Sequence, residues 1–154
     1  MRIGVNALYL IPGGVGGTEI YLRNLLKALS KFDQQNHYFV FTNVETGADL
    51  VPPGFEHVPT GVQASNRPWR LLWEQTVFPI MSRGVDVMLN PVYFTCDSQA
   101  NVTVFHDLQH KRHPEHFGRF DLPAWNFFSG SPCALNYWWP IQRRGRPASV
   151  LQGA

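Results

Sequence analysis

The chain has 154 residues, enough for one domain with a real core, and its 44% apolar and 14% aromatic content argues for a globular fold. Of its 13 Lys and Arg, Arg143, Arg144 and Arg146 lie in a final stretch with no acidic residue, so the other ten meet all 11 Asp and Glu, and the net charge of +2 belongs to that end. This balance argues against a general nucleic-acid surface. Cys96 and Cys133 form no C-x-x-C pair, which fits a reducing compartment and no metal ribbon.

In chain order, Ile3 to Leu10 reads as an apolar strand suited to a buried parallel sheet, entered directly from Met1 without a signal-peptide pattern. Pro12-Gly13-Gly14-Val15-Gly16-Gly17 follows as a loop, with Thr18 as the expected N-cap of a helix whose buried face carries Leu22, Leu25, Leu26, Leu29 and Phe32. His37 to Thr42 reads as a second strand and Phe55 to Val58 as a short third. Arg67-Pro68 opens a second helical pattern containing Trp69, Leu72, Trp73, Val77 and Ile80, which Pro79 should kink or end. Val85 to Leu89 and Val102 to Phe105 give two further strands, the last delivering His106 and Asp107 at its carboxyl end. Strands alternating with helices predict a doubly wound, Rossmann-like α/β fold with a parallel sheet, in which ligands bind outside the carboxyl ends of the strands. From about Ser129 helical and strand periods stop, so residues 129–154 are expected to be an irregular, poorly ordered tail.

The glycine loop invites an anion: glycines let backbone amides approach closely, and the helix behind points its first N–H groups at the same space. It fits neither standard nucleotide signature. Glu19 stands where G-x-G-x-x-G needs its last glycine, and no lysine occurs before Lys27 to complete a P-loop. Glu19 also competes with a phosphate for the helix dipole. A plain flexible turn stays open as the other reading.

His106, His110, His113 and His116, with Asp107 and Glu115, suggest a metal cluster and hence a metal-dependent hydrolase. The zincin pattern needs its two histidines on one helical face, whereas His106 ends a strand, so a solvated loop accounts better for the later three. Trp69, Trp73, Arg67 and Arg70 read either as an interfacial surface or as ordinary packing of a helix on a sheet. No G-x-S-x-G elbow is present for an α/β-hydrolase. No apolar run approaches the ~20 residues that span a bilayer, so the expected location is cytoplasmic, with peripheral contact at the inner face of the membrane left open.

Four stretches in order resemble the N-terminal half of family 4 glycosyltransferases: Ile3 to Leu29, Arg70-Leu71-Leu72-Trp73-Glu74-Gln75 with Pro79, Asp86 to Pro91, and Val102 to Leu108 with Pro114-Glu115. The resemblance covers residues 1–128 and implies one half of a GT-B architecture, two Rossmann-like domains facing a cleft. It implies retaining transfer of a sugar from a nucleotide-sugar donor to a glycan or lipid-linked acceptor, without cofactor or catalytic metal. By position, the amides of Gly14, Gly16 and Gly17 would lie near the donor diphosphate. His106 would face the transferred sugar, and Asp107 would orient that loop or contact the acceptor. In the family, a C-terminal domain holds the donor's base, ribose and much of the diphosphate, and nothing after Phe128 continues toward it. The sequence is therefore expected to be a truncated product, inactive alone. The competing expectation is a non-catalytic α/β binding or interaction domain with an exposed apolar face that self-associates.

Overall fold

A computed structural model describes residues 1–91 and 100–104 of the chain. In order they form β1 (Arg2–Asn6), α1 (Gly17–Phe32), β2 (His37–Thr42), a 3-10 turn (Gly47–Leu50), β3 (Glu56–Pro59), α2 (Arg67–Thr76), α3 (Phe78–Met81), β4 (Val87–Asn90) and β5 (Ala100–Thr103). The strands make one five-stranded sheet in the order β3-β2-β1-β4-β5, with all four pairings parallel. The chain builds outward from β1 through β2 to β3, then crosses back to place β4 on the other side of β1. The strand order therefore reverses between β1 and β4.

Alternation along the strands divides the interior into two layers. Val5 and Val40 point to one face and pack with Leu22 and Leu26 of α1. Phe41 and Met88 point to the other and pack with Phe78 of α3 and Trp73 of α2. Phe78 meets Phe41 edge to face, with ring centroids 5.0 Å apart, an arrangement favoured by the ring quadrupoles. Helices thus cover both faces of a parallel sheet, as the alternating pattern predicts.

Several local expectations need correction. β1 ends at Asn6 instead of running to Leu10. Ala7 still donates to the Phe41 carbonyl (3.0 Å), but Leu10 N then turns back to the Ala7 carbonyl (3.2 Å). The cap of α1 is Gly16, not Thr18; the Thr18 hydroxyl donates to the Val15 carbonyl (2.9 Å) instead of accepting from a helical amide. Phe32, expected on the buried face, is 77% exposed at the end of its helix. β4 begins two residues later than expected, and β5 is already paired at Ala100.

The largest departure is in α2 and α3. Of the apolar positions in the predicted helical pattern, Trp69, Leu72, Val77 and Ile80 are exposed and Trp73 packs against the core, so the packing alternative left open for the two tryptophans holds for Trp73 and not for Trp69. The buried positions are Arg70, Glu74, Phe78 and Ser82, spaced four apart. The helical period is right, but the face turned to the sheet is the one carrying the charges. The boundary at residue 128, the tail after it and Phe105 lie outside the described residues.

Candidate functional site

The strand order reverses between β1 and β4, and in open parallel α/β sheets the carboxyl ends beside such a switch point are where ligands bind. Two asparagines mark it. Asn6, at the end of β1, donates from Nδ2 to Asn90 Oδ1 at the end of β4 (3.2 Å), and Asn90 Nδ2 donates to Asn101 Oδ1 on β5 (2.8 Å). Asn6 and Asn90 are buried, where an unmade hydrogen bond costs about 1–3 kcal/mol. The row of amides ties the exits of β1 and β4 to each other and to the second residue of β5. Val104 N donates to the Asn90 carbonyl (3.0 Å), extending the link toward the end of β5.

Beyond Asn6, the segment Ala7 to Leu10 is buried although it has left the sheet. Side chains from other elements take its main-chain groups. Asn6 Oδ1 accepts from Leu8 N (3.1 Å), while Asn43 Nδ2 donates to the carbonyls of Leu8 (3.0 Å) and Leu10 (2.6 Å). The Thr46 hydroxyl donates to the same Leu10 carbonyl (2.8 Å). From α2, Arg70 Nη1 donates to the carbonyls of Tyr9 (3.4 Å) and Ala64 (3.2 Å). Arg70 Nε lies 3.8 Å from Glu74 Oε1, with both side chains buried. The carboxylate of Glu45 accepts from the amides of Ala64 and Ser65 and from the Ser65 hydroxyl. Burial works against the charged form of Glu45, but those bonds outweigh it and hold its pKa down to about 2.

The glycine loop rises from this base. Gly13 (φ 72°) and Gly16 (φ 58°, ψ −126°) adopt backbone conformations that side chains disfavour. Gly14 N donates to the Ile11 carbonyl (2.8 Å), so its amide closes a turn within the loop. Gly16 and Gly17 stand at the start of α1, and their amides have no backbone acceptor among the described residues. Glu19 reaches back from the first turn of α1: Oε2 accepts from Gly13 N (2.8 Å) and Oε1 from Arg23 Nε (2.9 Å). Arg23, then the Gly13 amide, hold the Glu19 carboxyl below its ordinary pKa. An internal carboxylate thus already sits on one amide of the loop.

Gly14, Gly16 and Gly17 are therefore gathered in one loop at the exit of β1. His106 and Asp107 lie outside the described residues, as do the histidines of the 106–116 cluster. No group of three or more metal-ligating side chains occurs among the described residues, and no described helix is long and apolar enough to cross a membrane. The sequence alone assigned no role to Asn6, Asn43, Asn90 or Glu74, although Asn90 and Glu74 fall in stretches that carry the family resemblance. Their signal was an amide or carboxylate inside an otherwise apolar run. No protein-family model matches the chain, and comparison with curated proteins and with solved structures finds no match.

Proposed function

We propose that residues 1–128 form the acceptor-side half of a retaining glycosyltransferase of GT-B architecture, similar to family 4. The reaction would move a sugar from a nucleotide-sugar donor to a glycan or lipid-linked acceptor, in the cytoplasm or at the inner face of its membrane. One observation carries the reading: an all-parallel sheet in the order β3-β2-β1-β4-β5 with the glycine loop at the exit of β1, beside the switch point. In open parallel α/β sheets a ligand binds outside the carboxyl ends of the strands at such a switch point, and the amides of Gly16 and Gly17 at the head of α1 suit a donor diphosphate there. In this proposal His106, two residues beyond Val104, stabilises charge on the transferred sugar, and Asp107 orients its loop.

The proposed half-cleft neither excludes water nor orients both reactants, so the 154-residue chain is expected to be inactive alone. Incubating it with a panel of nucleotide-sugars and acceptors tests this, and robust turnover by the isolated chain overturns it. Titration with a nucleoside diphosphate, followed at the glycine amides, tests the site itself. Signals of Gly16 and Gly17 that stay unmoved would remove the loop from the reading.

A second reading, a non-catalytic interaction domain, is favoured by a specific observation. Trp69, Leu72 and Ile80 recur at helical spacing on the exposed side of α2 and α3, with Val77 and Met81 exposed beside them. In that reading the row meets a second copy of the chain. Concentration-dependent mass in light scattering, abolished by Leu72→Asp with Ile80→Asp, is its expected result. A monomer that instead sediments with anionic vesicles would assign the row to peripheral membrane contact.

A further inference from the structure

Helix α2 buries a charged pair and exposes apolar side chains, which stability alone does not favour. Buried ion pairs replaced by apolar residues of similar volume are often neutral or stabilising. What the arrangement does give is direction. Arg70 spans from α2 to the Tyr9 carbonyl and to the Ala64 carbonyl with one nitrogen, and Glu74 stands one turn on beside its Nε. Tyr9 continues the line, since its hydroxyl lies 3.5 Å from the Thr18 carbonyl in the first turn of α1. Thr18 in turn donates to the Val15 carbonyl inside the glycine loop. Arg70 therefore acts on both ends of that loop, at its departure through the Tyr9 main chain and at its return through the Tyr9 side chain. Tyr9 is buried, and its phenol is raised well above its ordinary pKa, chiefly by that burial. It stays a neutral donor throughout the working pH range.

We propose that Arg70 and Glu74 are positioning residues: the buried pair fixes, through Tyr9, the direction in which the glycine loop leaves β1 and re-enters α1. The consequence for ligand binding rests on the donor-diphosphate reading above, whereas the effect on the loop does not. Fixing the loop in advance removes an ordering cost from binding, so loss of the pair weakens a phosphate ligand without removing any group that touches it. Asn43 and Thr46 hold the Leu10 carbonyl independently, so the loop is expected to tilt and fluctuate, not to unfold.

The test uses the full chain labelled with 15N-glycine, in wild-type form and as the double variant Arg70→Met with Glu74→Leu, which removes both charges at similar volume. The expected double variant stays folded, with Gly54 and Gly61 signals in place and its Tm lowered only by the loss of the Arg70 hydrogen bonds to the Tyr9 and Ala64 carbonyls. Its Gly13, Gly14 and Gly16 signals shift and broaden, and inorganic pyrophosphate binds about 10-fold more weakly. Loop signals and pyrophosphate affinity that match the wild type overturn the proposal. So does a double variant that fails to fold, because the pair would then serve stability. If pyrophosphate moves no glycine signal in the wild type while the double variant still displaces the loop, the positioning role stands and the donor-diphosphate reading falls.

Discussion

Helices α1 and α2 carry equally clear apolar stripes in sequence, yet they sit on the sheet in opposite senses. In α1 the stripe faces inward, with Leu22 and Leu26 buried against Val5 and Val40. In α2 the stripe faces outward, and Arg70 and Glu74 take the buried positions. Burial of apolar area drives the first arrangement. The second is set by hydrogen bonding: a buried turn after β1 has carbonyl groups to satisfy, and Arg70 satisfies one of them. The contrast shows that a hydrophobic period identifies a helix more securely than it identifies the helix's inner face.

The largest expected effect tests the charged side of this contrast. Glu74→Ala leaves the Arg70 guanidinium buried beside a deleted partner and should cost about 3–5 kcal/mol in urea denaturation; a loss under about 1 kcal/mol would mean that α2 is not seated on its charged face. On α1, Leu26→Ala should cost about 2–5 kcal/mol through lost burial and the cavity left behind, measured the same way.

Next comes the loop that both helices serve. Gly16→Ala forces a side chain into φ 58°, ψ −126° and should cost about 1–3 kcal/mol, read as a lowered Tm with α1 frayed at its first turn.

Acid weakens the braces behind both helices in one window. Asp33, the C-cap of α1, has its pKa held down to about 2 by hydrogen bonds from Asn36 and the Tyr38 hydroxyl, and Glu45 is held at about 2 ahead of α2. Both values lie below the unfolded ones, so their stabilisation is complete above the ordinary carboxyl range and is lost as pH falls toward about 2. The Tm should fall across that window, and Glu45→Gln should flatten the fall by removing one titrating group; an unchanged acid limb would discount Glu45. The smallest effect closes the comparison. Leu72→Ser, on the outward stripe, should change stability by no more than about 0.5 kcal/mol, whereas a core-sized loss would return that stripe to the interior.

The fold was legible because strand runs such as His37 to Thr42 are apolar on both faces, as a strand covered by helices on both sides must be. The glycine loop was legible through its composition. The braces beneath it were not: Asn43 lies 33 residues from Leu10 in sequence and Arg70 lies 61 from Tyr9. Neither pairing leaves a local pattern.

By itself the sequence determined the alternation of strands and helices, the parallel sheet and the loop at the exit of β1. Those follow from period, from glycine's backbone freedom and from the need to bury apolar area. Only the tertiary structure decided that β1 stops at Asn6, that α2 turns its charges inward, and that Glu19 rests on the Gly13 amide. Each of these depends on which distant polar group is available to a buried donor or acceptor, and that is fixed only when the chain closes on itself.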